Sequence, residues 1–220
     1  MITKSKIFEV YQEGNRLFTV NLVPGKRVYD ERLIREDGIE YREWNPLKSK
    51  LAAMILRGSP NVGIRKNDVI LYLGAASGTT ASHVSDIVGK EGFIFALDFA
   101  PRVVRDLVFV AEDRKNIAPL LEDANRPERY ADKISQVDVI YQDISQKNQL
   151  EIFLKNIDLF LKKDGYALLA VKARSIDVTK KPQQIFNFVK EQLEKNITII
   201  DYRALEPYQK EHCMFICKRK

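Results

Sequence analysis

From about residue 65 the chain trades polar–apolar alternation for short, nearly continuous apolar runs separated by stretches of helical spacing. Few folds satisfy that pattern. "DVILYLG", "GFIFALDF", "APLLEDA", "VDVIYQDI" and "GYALLAVKA" read as strands buried on both faces. "TTASHVSDIVG", "APRVVRDLVFVAEDR" and "NQLEIFLKNIDLFLKKD" lie between them and carry helical spacing. A further helix is expected in "KPQQIFNFVKEQLEKN", followed by "ITIIDYRAL" and "EHCMFICKRK" as an antiparallel pair at one edge. Strand and helix alternating this way predicts an α/β fold with a Rossmann-like, doubly wound sheet.

The first 45 residues or so are built differently. "KIFEVYQ", "RLFTVNLV" and "EYREWN" alternate apolar with polar, and "EGN", "PGK" and "EDG" punctuate them. They predict a small antiparallel sheet of hairpins. "SKLAAMIL" after Asn45-Pro46 predicts a helix that stops at Gly58. The expected division is a small β domain over residues 1–55 and a Rossmann-like domain over 56–220. The 45% hydrophobic content over 220 residues is enough for one ordinary core plus such an appendage.

No apolar run approaches the ~20 residues of a membrane helix. The start of the chain has no apolar segment of the secretory type, so a cytoplasmic protein without a membrane role is expected. Cys213 and Cys217 are the only cysteines, and their C-x₃-C spacing beside one histidine is poor for zinc. They read as core thiols of a reducing compartment, and no metal site is expected. A net charge of +6 favours a polyanionic partner without identifying one.

In open α/β sheets, ligands bind beyond the carboxyl ends of the strands. There the sequence places "LGAASGTT". Gly74 and Gly78 permit close backbone approach, and the helix starting at Thr79 and Thr80 offers free N–H groups. G-x-x-x-G is neither the dinucleotide fingerprint nor a P-loop. Asp98, Asp123 and Asp143 stand at the ends of three successive strands. Asp98 follows the turn by about 20 residues, where a carboxylate accepts from ribose hydroxyls. Three acids at one edge disfavour a triphosphate and favour a cationic nucleoside such as S-adenosylmethionine.

"YLGAASGTTASHVSDIVG", "LEDANRPERY", "VDVIYQDISQ", "EYREWNPLKSKLAA" and "VKARSID" together resemble the fibrillarin family in its archaeal form. The resemblance runs over essentially the whole chain. It implies an S-adenosylmethionine-dependent 2′-O-methyltransferase acting on rRNA and tRNA within a box C/D ribonucleoprotein. The implied partners are a box C/D guide RNA, a Nop-domain scaffold protein and a kink-turn-binding ribosomal-protein-like subunit. The Gly/Arg-rich tail of eukaryotic fibrillarin has no counterpart in this sequence, so roles tied to it are not carried over. Asp98 stands where many members have Glu, which keeps both acceptor oxygens. The implied cofactor contacts are Thr79 and Thr80 at the methionine end, Asp98 and Phe99 at the ribose, and Asp123 and Ala124 at the adenine. Asp143, Ile144, Ser145 and Gln146 would lie beside the reacting methyl group.

Methylating a ribose 2′-hydroxyl requires removal of its proton and alignment of its oxygen with the S–CH₃ bond. Lys172 follows the apolar run "YALLAV", at the same sheet edge. The resemblance implies a Lys–Asp–Lys–His set, matched here by Lys50, Asp143, Lys172 and His212. Which member takes the proton stays open at this level. His83, inside the helix after the turn, reads as structural. Lys48, Arg57, Arg65, Arg102, Arg105, Arg174, Lys180 and Lys181 are candidates for phosphate contacts. No module for reading RNA sequence is recognisable. Two other readings compete: a methyltransferase acting on RNA without a guide or on protein, and a non-catalytic ribonucleoprotein subunit. A lysine beside a sulfonium pocket disfavours the last.

Overall fold

The computed structural model describes residues 1–220. Its first part is a five-stranded antiparallel sheet of β1 (Thr3–Lys4), β2 (Val10–Glu13), β3 (Arg16–Val20), β4 (Leu33–Glu36) and β5 (Ile39–Trp44), in the order β1-β2-β3-β5-β4. "KIFEVYQ" is strand only from Val10, because the chain turns before it with Glu9 at φ +52°. β4, which no apolar alternation announced, pairs with β5 through a turn at Asp37-Gly38, both at positive φ. Helix α1 (Lys50–Leu56) follows, with Ser49 as its N-cap: the Ser49 hydroxyl accepts from the Ala52 N–H.

The second sheet has seven strands: β6 (Val69–Leu73), β7 (Phe93–Asp98), β8 (Ile117–Leu121), β9 (Val137–Gln142), β10 (Leu161–Lys172), β11 (Thr198–Ala204) and β12 (His212–Lys218). Their order is β11-β12-β10-β9-β6-β7-β8. β6 to β10 run parallel, and β12 lies antiparallel between β10 and β11. The expected edge hairpin is therefore present. The connecting helices are α2 (Thr79–Val88), α3 (Pro101–Asp113), α4 (Gln149–Phe160), a single turn α5 (Ala173–Ile176) and α6 (Pro182–Glu194). α4 ends earlier than its helical spacing suggests, and β10 begins at Leu161. Asp164 at φ +62° and Gly165, where a Cβ would lie 2.9 Å from the Asp138 carbonyl oxygen, turn the chain into the sheet.

Leu71, Leu73, Ile140, Leu169 and Phe215 point into one core layer. Ile70, Tyr72, Tyr141, Leu168 and Met214 point into the other. Val10, Leu17 and Trp44 of the small sheet, with Ile7 from the turn before β2, join that second layer, together with α1 and α2. The chain departs in opposite directions from neighbouring β6 and β9. Beyond their carboxyl ends lies the natural crevice of such a sheet.

Candidate active site

The crevice begins at Gly74. Its N–H and that of Ala75 both donate to the Leu97 carbonyl (2.8 and 3.0 Å), while the Asp143 N–H donates to the Leu73 carbonyl (2.9 Å). The turn is thereby fastened to β7 on one side and to the end of β9 on the other. At φ +83°, a Cβ on Gly74 would overlap the Asp143 carbonyl oxygen and lie 2.8 Å from Ile144 Cγ2. Gly74 thus serves the approach of the neighbouring strand end. Gly78, the α2 N-cap at φ +93°, leaves the first N–H groups of the helix without a side-chain cap. A Cβ there would sit 2.9 Å from Leu107 Cδ1, so this glycine admits α3 and does not face the cleft.

A cleft of about 250 Å³ is lined by Gly74, Leu97, Asp98, Phe99, Ala124, Asp143, Ile144, Ser145 and Gln146. All but Leu97 were named from sequence. Asp98 is already oriented: its two carboxylate oxygens accept from the Ala76 and Ala100 N–H groups at 3.0 and 3.1 Å. Each oxygen keeps a further lone pair for a ligand hydroxyl. Phe99 is 65% exposed and adds an apolar surface to the cleft wall. Asp123 lies in an adjoining groove that shares Phe99 and Gln146 with the cleft, and its Oδ1 accepts from the Asn125 N–H (2.9 Å).

The two threonines are placed differently from expectation. Thr79 lines a separate hollow with Ser77, Tyr29 and Phe109. Thr80 is buried, and its hydroxyl donates to Ser49 Oγ at 3.0 Å. What this helix start offers a ligand is its uncapped backbone N–H groups.

Lys50, the first residue of α1, reaches across 93 positions of sequence to Asp143, with Nζ 2.9 Å from each carboxylate oxygen. Asp143 also lines the cleft, so the ion pair borders the cavity. Lys172 and His212 are direct partners across β10 and β12, which brings the fourth group to the same edge. His212 Nδ1 lies 2.6 Å from the Lys210 carbonyl and must carry the proton of that bond, which leaves Nε2 with its lone pair. Burial above all, then the charges of Lys50 and Lys172, holds His212 below its usual value of 6.5 against the Lys210 carbonyl and Asp143. The shift favours the neutral imidazole near neutral pH. Lys172 itself is exposed.

His83 is fully buried in the structural place expected of it. Thr19 donates its hydroxyl proton to Asp86 (2.7 Å), so His83 Nδ1 donates to Thr19 Oγ1 (2.8 Å) and Nε2 accepts from the Tyr29 hydroxyl (2.7 Å). Trp44 stacks on the ring at 5.0 Å. Around it Arg42 bridges Glu31 and Asp86, and Arg114 holds Asp86 from the other side, all with buried side chains. This charge-balanced cluster fastens the small sheet to α2, and hence to the turn. Among the phosphate candidates, Lys48 pairs with Asp30, Arg105 with Asp106, Arg174 with Glu211 and Lys180 with Asp177; all four basic side chains stay exposed.

Sequence reasoning missed the support beneath the cleft. The Ala124 carbonyl accepts from Asn156 Nδ2 (3.0 Å), and the Tyr130 hydroxyl donates to Asn156 Oδ1 (2.6 Å). Asn156 is fully buried on the apolar face of α4. A polar residue on that face was the available signal, since buried amides are held by partners.

The fibrillarin family model matches residues 2–220 of this chain. The "Fibrillarin-like rRNA/tRNA 2'-O-methyltransferase" of Pyrococcus abyssi is 51% identical over 206 residues, covering 94% of this chain and 91% of that protein. The crystal structure of Aeropyrum pernix fibrillarin with natively bound S-adenosyl-L-methionine superposes with a TM-score of 0.90 at 45% identity, over 99% of this chain and 97% of that one. The chain in a crystal structure of a fibrillarin/Nop5p complex gives 0.90 at 41% identity, covering 99% and 100%.

Proposed function

This chain belongs to the fibrillarin family, and on that premise we propose that it is an S-adenosylmethionine-dependent 2′-O-methyltransferase of rRNA and tRNA, directed to its nucleotides by a box C/D guide RNA. The observation that carries the reading is Asp143, which both lines the cleft and holds Lys50. A scaffold subunit needs no ion pair at the wall of such a cavity.

The cleft fits S-adenosylmethionine by its chemistry. Asp98 has acceptor capacity for a ribose diol, and Asp123 for an exocyclic amine. The exposed Phe99 ring and Ala124 supply apolar wall, and Asp143 supplies negative charge toward a sulfonium. Bound there, S-adenosylmethionine supplies an activated methyl group. The protein's own part is to present the ribose 2′-oxygen and take its proton. Lys50 is held on Asp143 and so presents its ammonium at the cleft rim, where it can donate to a ribose or phosphate oxygen. Lys172 and His212 face that rim as the groups able to accept a proton: the amine once it has lost its own, the imidazole through Nε2. Asp143 offsets the positive charge that then accumulates.

No module for reading RNA bases is recognisable in the chain, and its +6 charge gives affinity without sequence choice. Selection of the nucleotide therefore falls to base pairing with the guide. A Nop-domain scaffold and a kink-turn-binding subunit hold that guide. The Nop5p complex of a relative supports the scaffold. The direct test of the cofactor site is calorimetry on Asp98→Ala. The folded variant is expected to bind S-adenosylmethionine about tenfold more weakly or worse, since charge-assisted hydrogen bonds are worth roughly 1.5–3 kcal/mol each. Unchanged affinity removes Asp98 from the site.

A further inference from the structure

Thr80 was expected to touch the cofactor, yet the residue is 5% exposed and is not among those that line the cleft. Its hydroxyl donates to Ser49 Oγ at 3.0 Å. Ser49 is 2% exposed, and the same oxygen accepts from the Ala52 N–H (3.3 Å) as the N-cap of α1. The next residue is Lys50. One buried oxygen therefore joins the first turn of α2 to the first turn of α1, and the second of these carries the lysine held by Asp143 at 2.9 Å.

We propose that the Thr80–Ser49 hydrogen bond is a positioning contact, through which the turn that receives the cofactor sets the place of Lys50 at the cleft rim. The inference rests on the methyltransferase reading above and deepens it. Thr80 and Ser49 touch no reacting atom; they act through Lys50 and the turn.

Three features make the contact fit for that role. Both residues are buried, so water does not replace the lost partner, and an unmade bond there is costly. Leu51, Ala52, Ala53 and Met54 are fully buried, so α1 is fixed along its length and its start is the part left to be set by the cap. The turn is fastened to Asp143 through Gly74, as described above. The path from Ser49 through Thr80, the turn and Asp143 back to Lys50 thus closes on itself. A lysine held from two sides keeps the sub-ångström placement that near-attack geometry requires.

The test uses the full chain in the active complex and two separate variants. Thr80→Val removes the donor with little change of shape. Ser49→Gly removes the acceptor, is a mild change at a helix N-cap and leaves the Thr80 hydroxyl beside the buried Tyr72 phenol. Each is expected to slow single-turnover methyl transfer about tenfold or more, with the dissociation constant for S-adenosylmethionine unchanged. The double variant should be no slower than the worse single one, because both remove the same contact. Thr80→Ser, which restores the hydroxyl, should recover the rate. The inference is overturned if the folded variants transfer at the wild-type rate. It is equally overturned if Thr80→Val weakens cofactor binding in place of transfer, which returns Thr80 to direct contact, or if Thr80→Ser is as slow as Thr80→Val. An inactive wild-type complex counts against the methyltransferase reading itself.

Discussion

Lys50 and Asp143, 93 residues apart in sequence, meet at 2.9 Å on the wall of a cleft formed by three other chain segments. Their side chains are 22% and 17% exposed, so the attraction is largely offset by the water both groups give up, and the pair's net contribution to stability is small, on the order of 1 kcal/mol. Its value lies in placement. Asp143→Asn should therefore leave the unfolding free energy within about 1 kcal/mol of wild type while slowing methyl transfer by roughly 10²-fold. Denaturant unfolding and single-turnover kinetics measure the two separately. A large stability loss with proportionate loss of activity would make the pair structural.

Lys172→Ala should cut methyl transfer by roughly 10²-fold or more, the range of a lost general base, with cofactor affinity intact. Lys172→Arg should not restore it, because a guanidinium stays protonated. Recovery in the Arg variant would leave Lys172 a positioning charge and pass proton removal to His212.

Gly74 is predicted to be intolerant of any side chain. A Cβ overlaps the Asp143 carbonyl oxygen, and φ is +83°. Gly74→Ala should destabilise the fold by at least about 2 kcal/mol and weaken S-adenosylmethionine binding, because the overlap falls on the residue that lines the cleft. Gly89→Ala is the control. Its φ of +75° is similar, but the nearest atom is Lys66 Cε at 3.9 Å, so it carries only the conformational cost. Equal losses in thermal melts would remove the argument from packing.

Stability should also depend on pH through His83. Burial first, then Arg42 and Arg114, keeps its folded value well below 6.5. The unfolded chain therefore binds the extra proton first as the pH falls. Stability is complete above about 6.5, declines as the pH drops below it, and levels off only below the folded value. Urea titrations between pH 7.5 and about 5 should show this fall, and His83→Gln should reduce the slope. An unchanged slope in that variant would assign it to other groups, His212 among them.

These residues also show what the sequence could and could not reveal. The parallel strands were legible because both of their faces are covered, which leaves a continuous apolar run such as "VILYL". The small sheet was harder. Alternation puts Arg42 and Trp44 on one face and Tyr41 on the other, so it does not say that an arginine is buried; α2 covers the Arg42 face, and Glu31 and Asp86 balance its charge. Nothing local to "EYREWN" carries that information. In the cleft, strand ends located Asp98, Ala124 and Asp143, because a carboxyl-terminal strand end is a fixed place in this kind of sheet. Helix starts were less reliable. The spacing of "SGTT" gives the turn, but which way Gly78 and Thr80 face depends on α3 and α1, and their packing is set by residues far along the chain.

On the proposed reading, this chain supplies the methyl-transfer chemistry and a guide RNA supplies the address. The most direct test of that reading is to reconstitute the protein with S-adenosylmethionine, a Nop-domain scaffold, a kink-turn-binding subunit and a box C/D guide, and to map ribose methylation by mass spectrometry. Rewriting the guide's pairing segment should move the 2′-O-methyl group to the newly paired nucleotide, and omitting guide and partners should abolish single-site methylation. Efficient methylation of one fixed ribose by the chain alone, or a methyl group that stays in place when the guide changes, would contradict it.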